Sequence, residues 1–177
     1  MARGFASFEE RQETETEHTK TIYDYLYKRP ETVGLTTASV EVQKKEDIDF
    51  FWMRAVEAKI EETSVELKVD TQGHETGNFA FETVSNETRG TLGCFLRTNS
   101  DLFFYYLAGS NELWVMETRR VQQWFLDEMK KTPKRFQPFE TYTKLNDGTC
   151  YSSYGRLVPI EDVKAVGKLI GLKKAVL

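Results

Sequence analysis

Cysteine and histidine are scarce in this chain, and long apolar runs are missing. Cys94 and Cys150 are the two cysteines among 177 residues. They show no metal-ligand spacing, so both are expected to be reduced thiols. His18 and His74 are too few for a zinc site. No stretch approaches the roughly 20 apolar residues of a membrane-spanning helix. The N-terminal MARGFASFEERQ has no apolar signal core, so the expectation is a cytoplasmic protein without a membrane partner. No G-x-G-x-x-G follows a strand pattern and no P-loop is present, which argues against dinucleotide-binding and P-loop folds. Surplus positive charge is also lacking, because the net charge is −4 and the pI about 5.4. That balance excludes a protein that coats nucleic acid electrostatically. It leaves room for an acidic site whose bound cations reverse the local sign.

What is present is patterned. Residues 8–28 are charged first and aromatic later, with Ile22, Tyr25 and Leu26 at helical spacing. Ser7 and Glu10 fit a capping box, and Arg29-Pro30 marks the helix end. Three stretches of strand character follow, at 35–43, 48–53 and 64–70. In the last, Val65, Leu67 and Val69 alternate with Ser64, Glu66, Lys68 and Asp70. Residues 54–63 fit a turn or a short helix equally well. Gly73 and Gly77 frame a polar loop, a strand is expected at 78–84, and 85–90 is a turn cluster. Further strands are expected at 102–107 and 112–116. After Thr118 the apolar period becomes helical through Val121, Trp124, Phe125 and Met129. The tail predicts a strand at 155–159 and a short helix over 160–169. This order implies an α/β (α+β) fold with a mixed central β-sheet flanked by helices. The length suits one domain over 1–177, with residues 1–7 as a loose tail.

One constellation carries chemistry. Glu66 and Lys68 stand at i and i+2 on a strand, so they share a face about 6.6–6.8 Å apart along the chain. Asp49 opens the preceding strand, which is otherwise apolar on both faces, where an unpaired carboxylate is costly. If the two strands are neighbours, Asp49 and Glu66 converge. Magnesium takes hard oxygen ligands and keeps several waters, so one or two carboxylates suffice to hold it. A lysine beside such an ion offsets charge that develops in a transition state. The acidic-x-Lys pattern alone is cheap, since it recurs as Glu57-Ala-Lys59, Glu128-Met-Lys130 and Asp162-Val-Lys164. A solvated strand face is the plain reading of any one copy.

The segments K-K-E-D-I-D-F-F and V-E-L-K-V-D, with T-G-N-F-A-F-E at 76–82, resemble the PD-(D/E)XK nuclease superfamily. That group contains restriction enzymes and phage and bacterial resolvase-type nucleases. The resemblance covers about residues 8–130. It implies a restriction-endonuclease-like core of helix, three strands, helix and strand. It implies a magnesium- or manganese-dependent endonuclease acting on DNA, bacterial or phage-encoded, with structure-selective (resolvase-like) cutting as one expected mode. It implies that Asp49 and Glu66 bind metal with the carbonyl of Leu67, and that Lys68 is catalytic. No proline precedes the Asp, and Asp47 competes with Asp49 for its role. Glu17 is the first-helix acid best placed to join, with Glu13 and Glu15 nearly equal. Glu82 and Asp70 are further candidates, although sheet pairing and solvent explain them more simply. Double-strand cleavage would favour a homodimer. The alternative is a catalytically inactive nucleic-acid-binding or assembly module on the same fold. A third reading is an unrelated interaction protein.

Two other groups have plain expectations. Gln122 and Gln123 read as a solvated helix face. Lys130, Lys131, Lys134 and Arg135 are the densest basic cluster, suited either to phosphates or to a helix C-terminus.

Overall fold

The computed structural model describes residues 8–144 and 148–172, with side-chain surroundings from residue 16. Helix α1 (Phe8–Tyr27) buries Ile22 and Leu26 and stops before the Arg29-Pro30 step. The Ser7 capping box lies outside the described residues. Strands β1 (Thr32–Thr37), β2 (Phe50–Val56) and β3 (Lys59–Asp70) form an antiparallel meander.

The segment between β1 and β2 differs from the strand expected through residue 43. It folds as helix α2 (Val40–Glu46). Ser39 caps it by accepting from the Val42 amide at 3.3 Å. Glu41 in the first turn and Lys44 and Lys45 in the last suit the helix dipole. The helix buries none of its side chains, so the β-branched valines are not drawn into a sheet and capping decides. Residues 54–63 resolve into the two arms of a hairpin. Glu57 and Ala58 form its tip with φ of 47° and 65°, the left-handed pair that matches strand twist in a two-residue turn.

The chain then leaves the meander through α3 (Gly73–Thr76), β4 (Asn78–Asn86), β5 (Thr91–Leu92) and α4 (Cys94–Arg97). It returns as β6 (Leu102–Leu107), parallel to β3 with Glu66 beside Phe103 and Lys68 beside Tyr105. Next come β7 (Glu112–Glu117), α5 (Thr118–Lys131), β8 (Gln137–Lys144), β9 (Cys150–Pro159), α6 (Ile160–Val163) and β10 (Gly167–Gly171). The helix expected over 160–169 ends at Val163. The open edge of β7 instead takes β10, with Leu169 opposite Trp114, because ladder hydrogen bonds outweigh a short helix. Strand β8 had no clear sequence pattern.

Among the described residues the strands form a mixed six-stranded sheet, β1-β2-β3-β6-β7-β10, and a four-stranded sheet, β5-β4-β9-β8. Ile22 and Leu26 of α1 pack on one face of the central sheet with Phe50, Val65, Leu67 and Phe104. On the other face Phe103, Tyr105 and Trp114 meet Phe79 and Phe81 of the second sheet and Phe125 of α5. The aromatic run at 103–106 is thus core on both faces of β6, as its composition implies. Glu66 and Lys68 alternate with Val65 and Leu67, so they project between the two sheets, away from α1. No described helix is long and apolar enough to cross a membrane.

Candidate functional site

The β2–β3 register pairs Phe50 with Val65. Asp49 comes just before this ladder, and its carboxyl shares a hydrogen bond with that of Glu66. The ladder is finished by a side chain. The Asp49 amide donates to the Val65 carbonyl at 2.9 Å, and Asp49 Oδ2 accepts from the Leu67 amide at 2.8 Å. Leu67 therefore enters the site through its N–H. Like charges in contact repel, and Glu66 is only 7% exposed. Burial, then the charges of Asp49 and Asp47 and a hydrogen bond with Asp49, push its carboxyl up to about 10. Two carboxyl groups share a hydrogen bond only when one carries a proton. Without a cation, the pair is held together by that proton.

Asp47 lies two residues away with a different partner. It is the C-cap of α2 in the left-handed region, φ 54°. Its carboxylate grips Arg97 of α4 in a two-pronged ion pair, one prong of which is Nε to Oδ2 at 3.1 Å. Thr98 Oγ1 donates to the Asp47 carbonyl at 2.7 Å. Asn99 donates its amide to the Glu46 carbonyl at 2.9 Å and its side chain to Glu46 Oε2 at 2.8 Å. The loop carrying Asp47 is thus buckled onto the end of α4, while Asp49 faces Glu66.

Glu82 has the sheet pairing expected of it, opposite Gly155 of β9, and also joins the cluster. Burial pushes its carboxyl up, opposed by Lys68, by the Cys94 amide and by Arg97. Lys68 lies on the Glu66 face and acts electrostatically on Glu66, Glu82 and Cys94. Burial drives the Cys94 thiol up to about 12, which favours the protonated thiol at neutral pH. Four acids (Asp47, Asp49, Glu66, Glu82) therefore gather with two cations, Lys68 and Arg97.

Other expected participants lie elsewhere. Glu17 is exposed on α1, which packs on the opposite face of the sheet, and the side chains of Glu13 and Glu15 lie outside the described residues. The α1 side chain that feels Asp49 is Tyr23. Burial raises its phenol, the Thr37 hydroxyl offsets part of that, and Asp49 adds to it. Asp70 shares the Glu66 face but serves the fold. Its Oδ1 accepts from the Gln72 and Gly73 amides at 2.8 Å each, and its Oδ2 from the Tyr105 hydroxyl at 2.5 Å. Gln122 is buried, not solvated, and donates to the carbonyls of Phe95 at 2.8 Å and Thr98 at 3.2 Å. The basic cluster is largely neutralised: Lys131 pairs with Glu128 at 3.0 Å, and Arg135 pairs with Glu128 and with Asp162 at 3.2 Å.

Arg97 escaped the sequence reading because its role depends on a contact 50 residues away in the chain. Glu82 carried a signal, since it is an acid directly after the apolar F-A-F run.

No family model, curated protein or solved structure matches the chain. Among the described residues, no three His, Cys, Asp or Glu side chains form a ready-made metal cage. The acid pair still fits a hard divalent cation. Its shared proton occupies the place of a positive charge, and magnesium keeps waters for most of its coordination. A groove of about 750 Å³ lies on the α1 side of the central sheet, lined by Trp52, Arg54, Asp101, Arg119 and Lys168 among others. It is separated from the acid cluster by the sheet itself, and its lining balances basic against acidic groups.

Proposed function

We propose that this protein is a divalent-metal-dependent DNA endonuclease of the PD-(D/E)XK type, using magnesium or manganese. The observation that carries the reading is the hydrogen-bonded contact between the Asp49 and Glu66 carboxyl groups, with Lys68 on the Glu66 face. The supporting architecture is a helix, a three-stranded meander and a crossover to a strand parallel to the third. The departure from the simplest such core is that this crossover contains β4, β5 and α4.

In this reading Asp49 and Glu66 hold the ion, with Leu67 fixed beside them and Glu82 close by. Bound there, a divalent ion would lower the pKa of water and offset negative charge at phosphorus. Glu66 must release its proton before it can ligate, so metal binding is coupled to proton release. Lys68 donates hydrogen bonds to phosphate oxygen or to water but cannot itself ligate while protonated. One site cuts one strand, so double-strand cleavage would involve a twofold dimer.

The test is cleavage of supercoiled plasmid and of linear, branched and single-stranded DNAs with magnesium, by wild type and by Asp49→Asn. Nicking by wild type and none by the variant is the expected result. DNA binding without turnover would favour the inactive binding module, and neither binding nor turnover would remove the nuclease reading.

A further inference from the structure

We propose that Arg97 is a phosphate-anchoring residue of this site, held in position by Asp47, so that Asp47 orients an arginine instead of a metal. The inference rests on the nuclease reading and extends it to a contact with the DNA backbone.

A guanidinium has five N–H donors in a rigid fork. Asp47 engages the Nε and Nη2 side of Arg97, and among the described residues no hydrogen bond takes the Nη1 side. The Arg97 side chain keeps 36% of its surface exposed, whereas Asp47 keeps 12%. The carboxylate is therefore the buried holder and the guanidinium the outward-facing part. Arg97 is also fixed at its base. Its amide donates to the Gly93 carbonyl at 2.9 Å, and Gln122 secures the carbonyls of Phe95 and Thr98 on either side. Thr98 in turn bonds to the Asp47 backbone. Such fixing lowers the ordering entropy lost when a ligand binds.

The position is suited to phosphate. Asp47 is two residues from Asp49, and Arg97 acts electrostatically on Glu66 and Glu82. The guanidinium thus stands beside the acid cluster. A phosphodiester drawn toward an ion at Asp49 and Glu66 would meet two cations. Lys68 is a compact point charge, and Arg97 is a planar fork matched to two phosphate oxygens.

The experiment is fluorescence anisotropy of a short labelled duplex with the full chain in calcium, titrated with salt, for wild type, R97A, R97K and D47N. Thermal unfolding and manganese calorimetry are run on the same samples. R97A should bind DNA roughly tenfold more weakly, as expected for losing a charged hydrogen bond. The slope of log affinity against log salt should become shallower by about 0.9, the value for one phosphate contact. Manganese affinity should hold or rise, because R97A removes a nearby positive charge and no proposed metal ligand. R97K should recover the slope and only part of the affinity, because charge is kept and the fork is lost. D47N should keep the slope and lose affinity. If R97A does not fold, R97Q, which retains an amide donor toward Asp47, carries the same comparison. A wild-type slope and affinity in R97A, with wild type cleaving DNA, would overturn the phosphate role and leave the nuclease reading standing. Loss of manganese binding in D47N with retained DNA binding would return Asp47 to the metal. Wild type that neither binds nor cleaves DNA would remove both readings.

Discussion

Glu66 is buried beside two aspartates, and its carboxyl is pushed up to about 10 mainly by desolvation. In the unfolded chain the same group titrates near the model carboxylate value of 4.5. Between those values the folded state binds a proton that the unfolded state lacks. Stability from this group is therefore fully present below the unfolded value and is lost as pH rises toward the folded one. The loss has a limiting slope of about 1.4 kcal/mol per pH unit. Glu66→Gln has no proton to lose. In chelator it should unfold at a higher temperature than wild type near pH 8, by a margin that widens from about pH 6 to about pH 9. A margin independent of pH would show that Glu66 is not buried as an acid. The same variant, like Asp49→Asn, should lose cleavage. Lys68→Ala should lose about 2.7–4 kcal/mol of transition-state stabilisation, as for other single preorganised donors, while metal affinity holds or rises because a nearby positive charge is gone. Single-turnover rates at saturating magnesium read this directly. Lys59, Lys130 and Lys164 should tolerate alanine, since Lys59 begins a hairpin strand and Lys164 pairs with exposed Glu161 at 2.6 Å. A Lys68→Ala rate within about threefold of wild type would reduce the motif to a solvated face.

At the scale of elements, α4 is four residues long and cannot stand by itself. It is held by Gln122 from α5 and by the Asp47 loop. Gln122→Ala would leave the Phe95 and Thr98 carbonyls without their buried donor, at about 1–3 kcal/mol. Because Arg97 rides on α4, the variant should also weaken DNA binding, measurable as a raised dissociation constant in calcium. The β2–β3 hairpin supplies both Asp49 and Glu66, and its tip is strained. Ala58 sits at φ 65°, where an L-residue with a Cβ is penalised by roughly 1–2 kcal/mol and glycine is not. Part of that relief is offset by glycine's greater unfolded-state freedom. Ala58→Gly should therefore raise stability by about 0.5–1 kcal/mol, read as the midpoint of urea unfolding. No gain would mean that the turn is already relaxed by its neighbours.

Across the whole molecule, the two sheets enclose one apolar layer to which Phe79, Phe81, Phe103, Tyr105 and Phe125 all contribute. They are also tied by a polar link. Tyr105 of β6 donates to Asp70 of β3 and accepts from the Ala80 amide of β4 at 2.9 Å. Removing that hydroxyl strands a carboxylate oxygen and a backbone N–H, so Tyr105→Phe should cost about 1–3 kcal/mol. A shared core predicts that both sheets unfold together. Near-ultraviolet and far-ultraviolet circular dichroism should give coincident transitions for wild type and variant. Separate transitions would show that the second sheet is an independent unit.

The local patterns were legible because they depend on neighbours in sequence. Strict alternation from Ser64 to Asp70 exposed the face shared by Glu66 and Lys68, and the all-apolar run at 102–107 marked the doubly covered β6. Proline at 30 ended α1, and helical period marked α5. The neighbouring strands that bring the Asp49 carboxyl to Glu66 were a condition in the sequence and became a pairing only in the fold. Between Asp47 and Asp49 the sequence favoured Asp49, since it directly opens the apolar strand, but both are aspartates within three residues. Arg97 separates them by capturing one carboxylate from across the chain, leaving the other to face Glu66. Glu17 looked suitable by composition but rides on the covering helix of the opposite face. Gln122 looked solvated by polarity but is buried by α4. Alternation and capping act over two to four residues, so sequence determines them. Which acids meet in low dielectric depends on strand register and crossover path, which only the closed tertiary structure decides.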